Sequence, residues 1–71
     1  MHKNFGQVLK NIRNQRKLSL NEVSEKTGIS ISCLSLIENS KTQPQAKTIN
    51  KLADVYEVDY IELYKRLEKG E

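Results

Sequence analysis

Few side chains in this sequence could perform catalysis or hold a metal ion. Its 71 residues include one histidine and one cysteine, His2 and Cys33, and the carboxylates are scattered along the chain. A metal site needs several ligands close together, and nucleophilic catalysis needs a nucleophile, a base and an orienting group within hydrogen-bond reach. We therefore predict that the protein is not an enzyme and uses no metal or cofactor.

The charged side chains instead divide the chain into a basic end and an acidic end. Residues 1–21 contain five Lys or Arg and no acid, whereas residues 52–71 contain three bases and six acids. A basic surface attracts a polyanion, and an acidic surface is left for another use. The charge distribution thus allows the protein to present its basic end to a polyanion.

The length allows one small domain, because a chain of 71 residues can enclose only a modest core. No apolar run approaches the roughly 20 residues of a membrane span, and residues 1–6 lack the apolar stretch of a signal peptide. A single cysteine is typical of a reducing compartment. We expect one domain over residues 1–71 with its core in 5–67, located in the cytoplasm, with no membrane partner and no small-molecule ligand.

Apolar residues recur at spacings of three and four, which indicates helices throughout. The stripes and capping signals predict an all-α bundle of five helices: one ending near residue 15, then about 20–27, 31–39, a fourth ending near 56, and 59–69. Ser19 with Glu22 and Asp59 with Glu62 have the spacing of a capping box. Asn4 is a candidate cap for the first helix, and His2 is expected to be a disordered terminal residue.

The stretch from Leu20 to Asn39 has the pattern of a helix-turn-helix. Val23 and Thr27 would face inward on the first of its two helices, and Gly28 can adopt the left-handed conformation at the turn. Leu34 and Ile37 would hold the second helix from beneath. This arrangement leaves the outer face of the second helix free.

These residues resemble the Xre/Cro family of phage-repressor-like DNA-binding domains, over residues 5 to about 64. The matching positions are Gly6, Leu9, Arg13, Ser19, Glu22, Val23, Gly28, Ser30, Glu38, Pro44, Leu52, Ala53, Val58 and Leu63. The resemblance implies a lambda-repressor-like fold and a homodimeric transcriptional regulator, here a repressor on a two-fold operator. It also implies that the helix from Ile31 to Asn39 enters the major groove of double-stranded DNA.

Outward residues of that helix are the candidates for reading bases, namely Ile31, Ser32, Ser35, Leu36 and Asn39. Family members usually have Gln, Arg, Lys or Asn at several of these positions, and such residues discriminate bases by bidentate hydrogen bonds. Ile31 and Leu36 offer only apolar contact to a thymine methyl. We therefore expect modest direct readout, some dependence on DNA shape and a preference for A·T-rich half-sites.

Contacts to the DNA backbone are predicted from basic and hydroxyl side chains and from the starts of the second and third helices. The candidates are Arg16, Lys17, Ser30, Lys41, Thr42, Gln43 and Lys47. The sequence has Leu20 where the family commonly places a phosphate-binding Gln. We expect neighbouring residues to make that contact.

Two further sets of residues have alternative interpretations. Arg13 and Glu38 match a structural ion pair of the family, although Arg13 could instead contact phosphate. An apolar set near the C-terminal end either closes the core or forms a homodimer contact through residues 59–69, and we favour the dimer. This set consists of Tyr56, Tyr60, Leu63, Tyr64 and Leu67.

A second functional class remains open beside DNA binding. Ile31 and Leu36 are unusual on a base-reading surface, because exposed aliphatic side chains more often contact protein. The alternative is a protein-interaction module, such as an antitoxin-like or antagonist partner built on the same scaffold. Cys33 is expected to be partly buried and inert.

Overall fold

The computed structural model describes residues 1–70 and consists of five α-helices. They are α1 (Phe5–Gln15), α2 (Leu20–Thr27), α3 (Ile31–Glu38), α4 (Ala46–Tyr56) and α5 (Tyr60–Lys69). Residues 1–70 contain no β-strand. The predicted all-α bundle is confirmed, and α2 and α3 with the turn between them form the helix-turn-helix. Over the same residues, no helix has both the length and the apolar character needed to cross a membrane.

Local signals set the ends of α2 and the start of α3. The Ser19 hydroxyl accepts the Glu22 N–H, and the Glu22 carboxylate accepts the Ser19 N–H, so the capping box is complete. Gly28 ends α2 with φ of +77°, a left-handed conformation that glycine adopts without steric cost. The Ser30 hydroxyl then accepts the Cys33 N–H and starts α3. The two helices are therefore joined by a turn of three residues.

The start of α1 differs from the prediction. Asn4 makes no side-chain cap; the Ser40 hydroxyl, 34 residues away, accepts the Gly6 N–H at 3.1 Å. His2 is also not free, because its N–H donates to the Leu67 carbonyl and its Nδ1 accepts the Asn4 N–H. The N-terminal residues are thus held on α5. Tertiary contacts, which residue spacing does not reveal, replace the local cap.

All five helices contribute to one hydrophobic core. Its buried members are Phe5, Val8, Leu9, Ile12, Val23, Leu34, Ile37, Ile49, Leu52, Ala53, Tyr56, Leu63 and Leu67. Burying a Leu, Ile or Phe side chain contributes roughly 1.5–3 kcal/mol, so this core supplies the main stabilisation of the fold. Helix α3 contributes two buried side chains to this core, those of Leu34 and Ile37. Its other residues remain at least partly accessible to solvent.

The beginning of α1 packs directly against the end of α3 at Gly6. A Cβ on Gly6 would lie 2.4 Å from the Glu38 carbonyl oxygen and 2.5 Å from that of Ile37. Such distances are far below van der Waals contact and involve backbone atoms, which cannot move without displacing α3. The absence of a side chain at residue 6 is therefore a condition for the position of α3.

We predict that Gly6→Ala destabilises the fold by about 2–3 kcal/mol, because the added methyl group overpacks a backbone contact. Gly28→Ala is the matched control, since a Cβ there would meet nothing within 4 Å and only the left-handed conformation is penalised. That penalty is about 1 kcal/mol. Urea unfolding followed by circular dichroism measures both values, and a smaller loss for Gly6→Ala than for Gly28→Ala would contradict the close approach.

Candidate nucleic-acid interface

The outer side of α3 is accessible to a partner. Ile31 and Leu36 are 44% and 46% exposed, and Ser32 is exposed as well. Asn39, the C-terminal cap of α3, is exposed and donates from Nδ2 to the half-buried Ser35 hydroxyl at 3.4 Å. All five predicted base-reading residues therefore lie at the surface of α3, with Ser35 the least accessible.

The residues predicted to contact phosphate are all exposed and lie in four segments. Arg16 and Lys17 are in the α1–α2 turn, and Ser30 precedes α3. Lys41, Thr42 and Gln43 are in the exposed loop after α3, and Lys47 is in the first turn of α4. The full set is Arg16, Lys17, Ser30, Lys41, Thr42, Gln43 and Lys47. The structure thus leaves each of these side chains accessible to a polyanion.

The starts of α2 and α3 differ in charge. The Glu22 carboxylate sits at the start of α2, where hydrogen bonds from Ser19 hold the pKa of that carboxyl below its usual value. A negative group in that place competes with a phosphate for the helix terminus. The first turn of α3 contains no acid. This contrast weighs against the prediction that α2 holds a phosphate at its start and leaves α3 as the better candidate.

An ion pair fixes the far end of α3 to α1. Arg13 Nε and Nη2 donate to the two carboxylate oxygens of Glu38 at 2.7 and 3.0 Å, and Nη1 donates to the Leu18 carbonyl at 2.8 Å. The side chains of Arg13 and Glu38 are 12% and 8% exposed. The hydrogen bond with Glu38 raises the pKa of Arg13 above its usual value. The guanidinium therefore serves the fold, and the alternative that Arg13 contacts phosphate does not fit its placement.

The predicted dimer contact requires a correction. Tyr56, Leu63 and Leu67 are at most 1% exposed, because they fill the core between the helices of a single chain. They are not available to a partner. Tyr60 is half-buried and Tyr64 is 40% exposed, and their rings meet edge to face with centroids 6.2 Å apart.

One accessible apolar residue of α5 was not among the predicted contact residues. Ile61 is 61% exposed and lies three positions before Tyr64, so the two share a side of the helix. Its spacing from Tyr64 is a visible signal in the sequence, but Ile61 does not belong to the apolar set predicted as the dimer contact. Elsewhere in residues 1–70, His, Cys, Asp and Glu form no group that could hold a metal ion, and Cys33 is half-buried.

Comparison with known proteins agrees with this geometry. Residues 9–63 match the model of a family described as helix-turn-helix. The chain belongs to this family. It is 46% identical over 57 residues to an uncharacterized HTH-type transcriptional regulator, RghRB, of Bacillus subtilis, covering 79% of this chain and 41% of that protein. The HTH-type transcriptional repressor RghR of the same organism is 39% identical over 57 residues, covering 79% of this chain and 42% of that protein.

A solved structure shows the same helix-turn-helix fold. The crystal structure of an HTH_3 family transcriptional regulator from Vibrio cholerae superposes with a TM-score of 0.78 at 30% identity, over 90% of this chain and 36% of that one. The chain spans about two fifths of the length of the Bacillus relatives. These relatives are named as transcription regulators, and the family is not one of enzymes.

We predict that Arg13→Met destabilises the helix-turn-helix by roughly 3 kcal/mol, because it leaves the Glu38 carboxylate nearly buried without its cation. The double variant Arg13→Met, Glu38→Met removes both charges, and we expect it to regain most of that loss. Urea unfolding of the single and double variants measures the difference. Equal stability of Arg13→Met and the parent protein would show that the pair does not support the fold.

Tyr56 makes the fold sensitive to high pH. Burial, followed by the negative charge of Glu38, raises the pKa of Tyr56 from 10.0 to about 12, with Arg13 opposing the shift. As the pH rises, Tyr56 loses its proton in the unfolded chain before it does so in the folded chain. The stability that the neutral hydroxyl contributes is therefore fully present below pH 10 and is lost as the pH rises to 12. We predict that the free energy of unfolding falls by about 2–3 kcal/mol over that interval.

The control for this prediction is Tyr56→Phe, which keeps the ring and removes the titrating hydroxyl. Its free energy of unfolding should fall less than that of the parent protein between pH 10 and 12. Urea titrations at several pH values in this interval give the comparison. Parallel losses in the two proteins would assign the alkaline sensitivity to other groups.

Proposed function

We propose that this chain is a cytoplasmic DNA-binding transcription regulator that places α3 in the major groove of double-stranded DNA. The observation that carries the proposal is the division of α3 into two sides. Leu34 and Ile37 are buried in the core, while Ile31, Ser32 and Leu36 are exposed. A helix that packs on the core with one side and is accessible on the other can lie in the major groove, as the recognition helix of a helix-turn-helix does.

The charge around α3 supports this proposal. Between Thr27 and Ala53 the one acidic residue is Glu38, and its carboxylate is paired with Arg13. Lys41 and Lys47 are exposed in the same part of the chain. An approaching phosphate backbone therefore meets free cations and no unpaired carboxylate there, which favours association.

The chemistry of the exposed side chains suggests how bases are read. Ile31 and Leu36 have no hydrogen-bonding atoms in their side chains, so thymine methyl groups are the base features that they can contact. The hydroxyls of Ser32 and Ser35 pair with several base edges. We propose a preference for A·T-rich half-sites, with part of the discrimination due to DNA shape.

We further propose a repressor that acts as a homodimer on a two-fold operator. The relative RghR is named a repressor. The accessible apolar side chains of α5, Tyr60, Ile61 and Tyr64, are the proposed contact between two chains. Two α3 helices related by a two-fold axis would meet half-sites about 34–36 Å apart, one turn of DNA.

The exposed aliphatic residues of α3 also favour a second candidate function. Side chains such as Ile31 and Leu36 are typical of protein contacts, so they could bind another polypeptide and contribute nothing to DNA affinity. The double variant Ile31→Ser, Leu36→Ser separates the two functions. Loss of a captured protein partner with full retention of DNA affinity would support the protein-interaction module.

The main experiment is fluorescence anisotropy with labelled duplexes at low and moderate salt. We predict that the parent binds A·T-rich duplexes more tightly than G·C-rich ones. Lys41→Ala should weaken binding to all sequences and lower the salt slope by about 1. Lys69→Ala, an exposed change at the last residue of α5, is the control and should bind like the parent. Folded protein that binds no duplex at low salt would overturn the proposed function.

Dimerisation is tested by sedimentation equilibrium. We predict that the parent protein forms a dimer and that Ile61→Asp weakens its association by tenfold or more, because the change places a charge within an apolar contact. Ile31→Asp, the same change at an exposed residue of α3, should leave the association unchanged. A parent protein that sediments as a single chain at concentrations of tens of micromolar would contradict the proposed interface.

A further inference from the structure

Helix α3 ends in a Schellman motif whose left-handed position is occupied by Ser40. The Lys41 N–H donates to the Leu36 carbonyl at 2.9 Å, and the Ser40 N–H donates to the Ile37 carbonyl at 3.0 Å. Ser40 has φ of +57°. Glycine usually occupies this position, because a Cβ destabilises the left-handed conformation. A serine here carries a conformational cost at the end of the helix proposed to enter DNA.

The hydroxyl of Ser40 makes a contact that glycine could not make. It accepts the Gly6 N–H at 3.1 Å and thereby caps the start of α1, where Asn4 provides no cap. The start of a helix has free N–H groups and the end of another has free carbonyls, so their partial charges attract. Ser40 joins these two helix ends by a side-chain hydrogen bond.

The position of Ser40 in the chain gives this bond a consequence for DNA binding. Immediately after it come the exposed residues 41–43, which are proposed to contact phosphate, and Pro44 beyond them is buried. The loop therefore runs between two anchored residues. Loss of the bond to Gly6 leaves the backbone hydrogen bonds of the Schellman motif in place but removes the contact with α1. The loop can then shift relative to α1 while α3 stays packed through Leu34 and Ile37.

We propose that Ser40 is a positioning residue, whose hydroxyl fastens the start of the 41–43 loop to α1 and so fixes where that loop meets the DNA backbone. This inference rests on the proposed DNA-binding function. Ser40 itself need not touch DNA. Its effect is exerted through Lys41 and the two residues that follow.

The test compares Ser40→Gly with Glu57→Gly. Glu57 ends α4 in the same left-handed conformation, with φ of +57°, so both variants remove the same backbone strain. Ser40→Gly alone also removes the hydroxyl that binds Gly6. Ser40→Ala is the third variant, because it removes the hydroxyl without giving the chain the flexibility of glycine.

Three measurements are made on each variant of the 71-residue chain. They are duplex affinity by anisotropy, the dependence of that affinity on salt concentration, and hydrogen exchange of the Gly6 amide. We expect Ser40→Gly and Ser40→Ala to bind duplex about three- to tenfold more weakly, with a salt slope smaller by up to about 1. Their Gly6 amide should exchange faster. Glu57→Gly removes an acid and leaves the Ser40 hydroxyl in place, so it should bind duplex at least as tightly as the parent, and its Gly6 amide should exchange at the parent rate.

The inference is overturned if both Ser40 variants bind DNA with the affinity and salt slope of Glu57→Gly. It is also overturned if Ser40→Gly weakens binding and Ser40→Ala does not, because glycine flexibility would then explain the effect. Failure of the parent protein to bind any duplex is a different result, since it rejects the proposed function itself.

Discussion

The attachment of α3 to α1 is the constraint on which the rest of the structure depends. A helix of eight residues has little stability alone, and the apolar side chains that α3 buries in the core are two, Leu34 and Ile37. The ion pair between Arg13 and Glu38 holds its last turn and also reaches the Leu18 carbonyl before α2. The Arg13 guanidinium on α1 thus holds both the last turn of α3 and the segment that precedes α2.

The same ion pair has an electrostatic effect at the surface. Glu38 is the one acid between Thr27 and Ala53, and an unpaired carboxylate there would repel a phosphate backbone. Pairing it with Arg13 neutralises that charge while it secures the helix. One contact therefore both secures α3 and leaves no unpaired carboxylate between Thr27 and Ala53, where Lys41 and Lys47 are exposed.

Much of the fold could be predicted from sequence because its signals are local. The capping box of Ser19 and Glu22 and the glycine at residue 28 fixed α2 within a residue of its observed bounds. The cap of α1 could not be found in this way, because the Ser40 hydroxyl comes from 34 residues away. Residue spacing also cannot supply the close approach at Gly6, which depends on where α3 lies.

The candidate site shows the same division between local and tertiary information. Helical periodicity correctly identified which side of α3 is exposed, since Leu34 and Ile37 define the opposite side. It could not decide what covers the apolar stripe of α5. Leu63 and Leu67 of that stripe, like Tyr56 of α4, are covered by the chain's own helices. Ile61 lies outside the stripe and is the most accessible of the large apolar side chains of α5.

The most direct test of the central claim is to map the DNA-contacting surface by NMR. Amide chemical shifts of the isotope-labelled protein are followed as an A·T-rich duplex is added. We predict the largest changes in residues 31–39 and 41–43, with core residues such as Leu63 nearly unchanged. Shifts confined to other helices, with α3 unaffected by bound DNA, would contradict the claim that its outer side is the recognition surface.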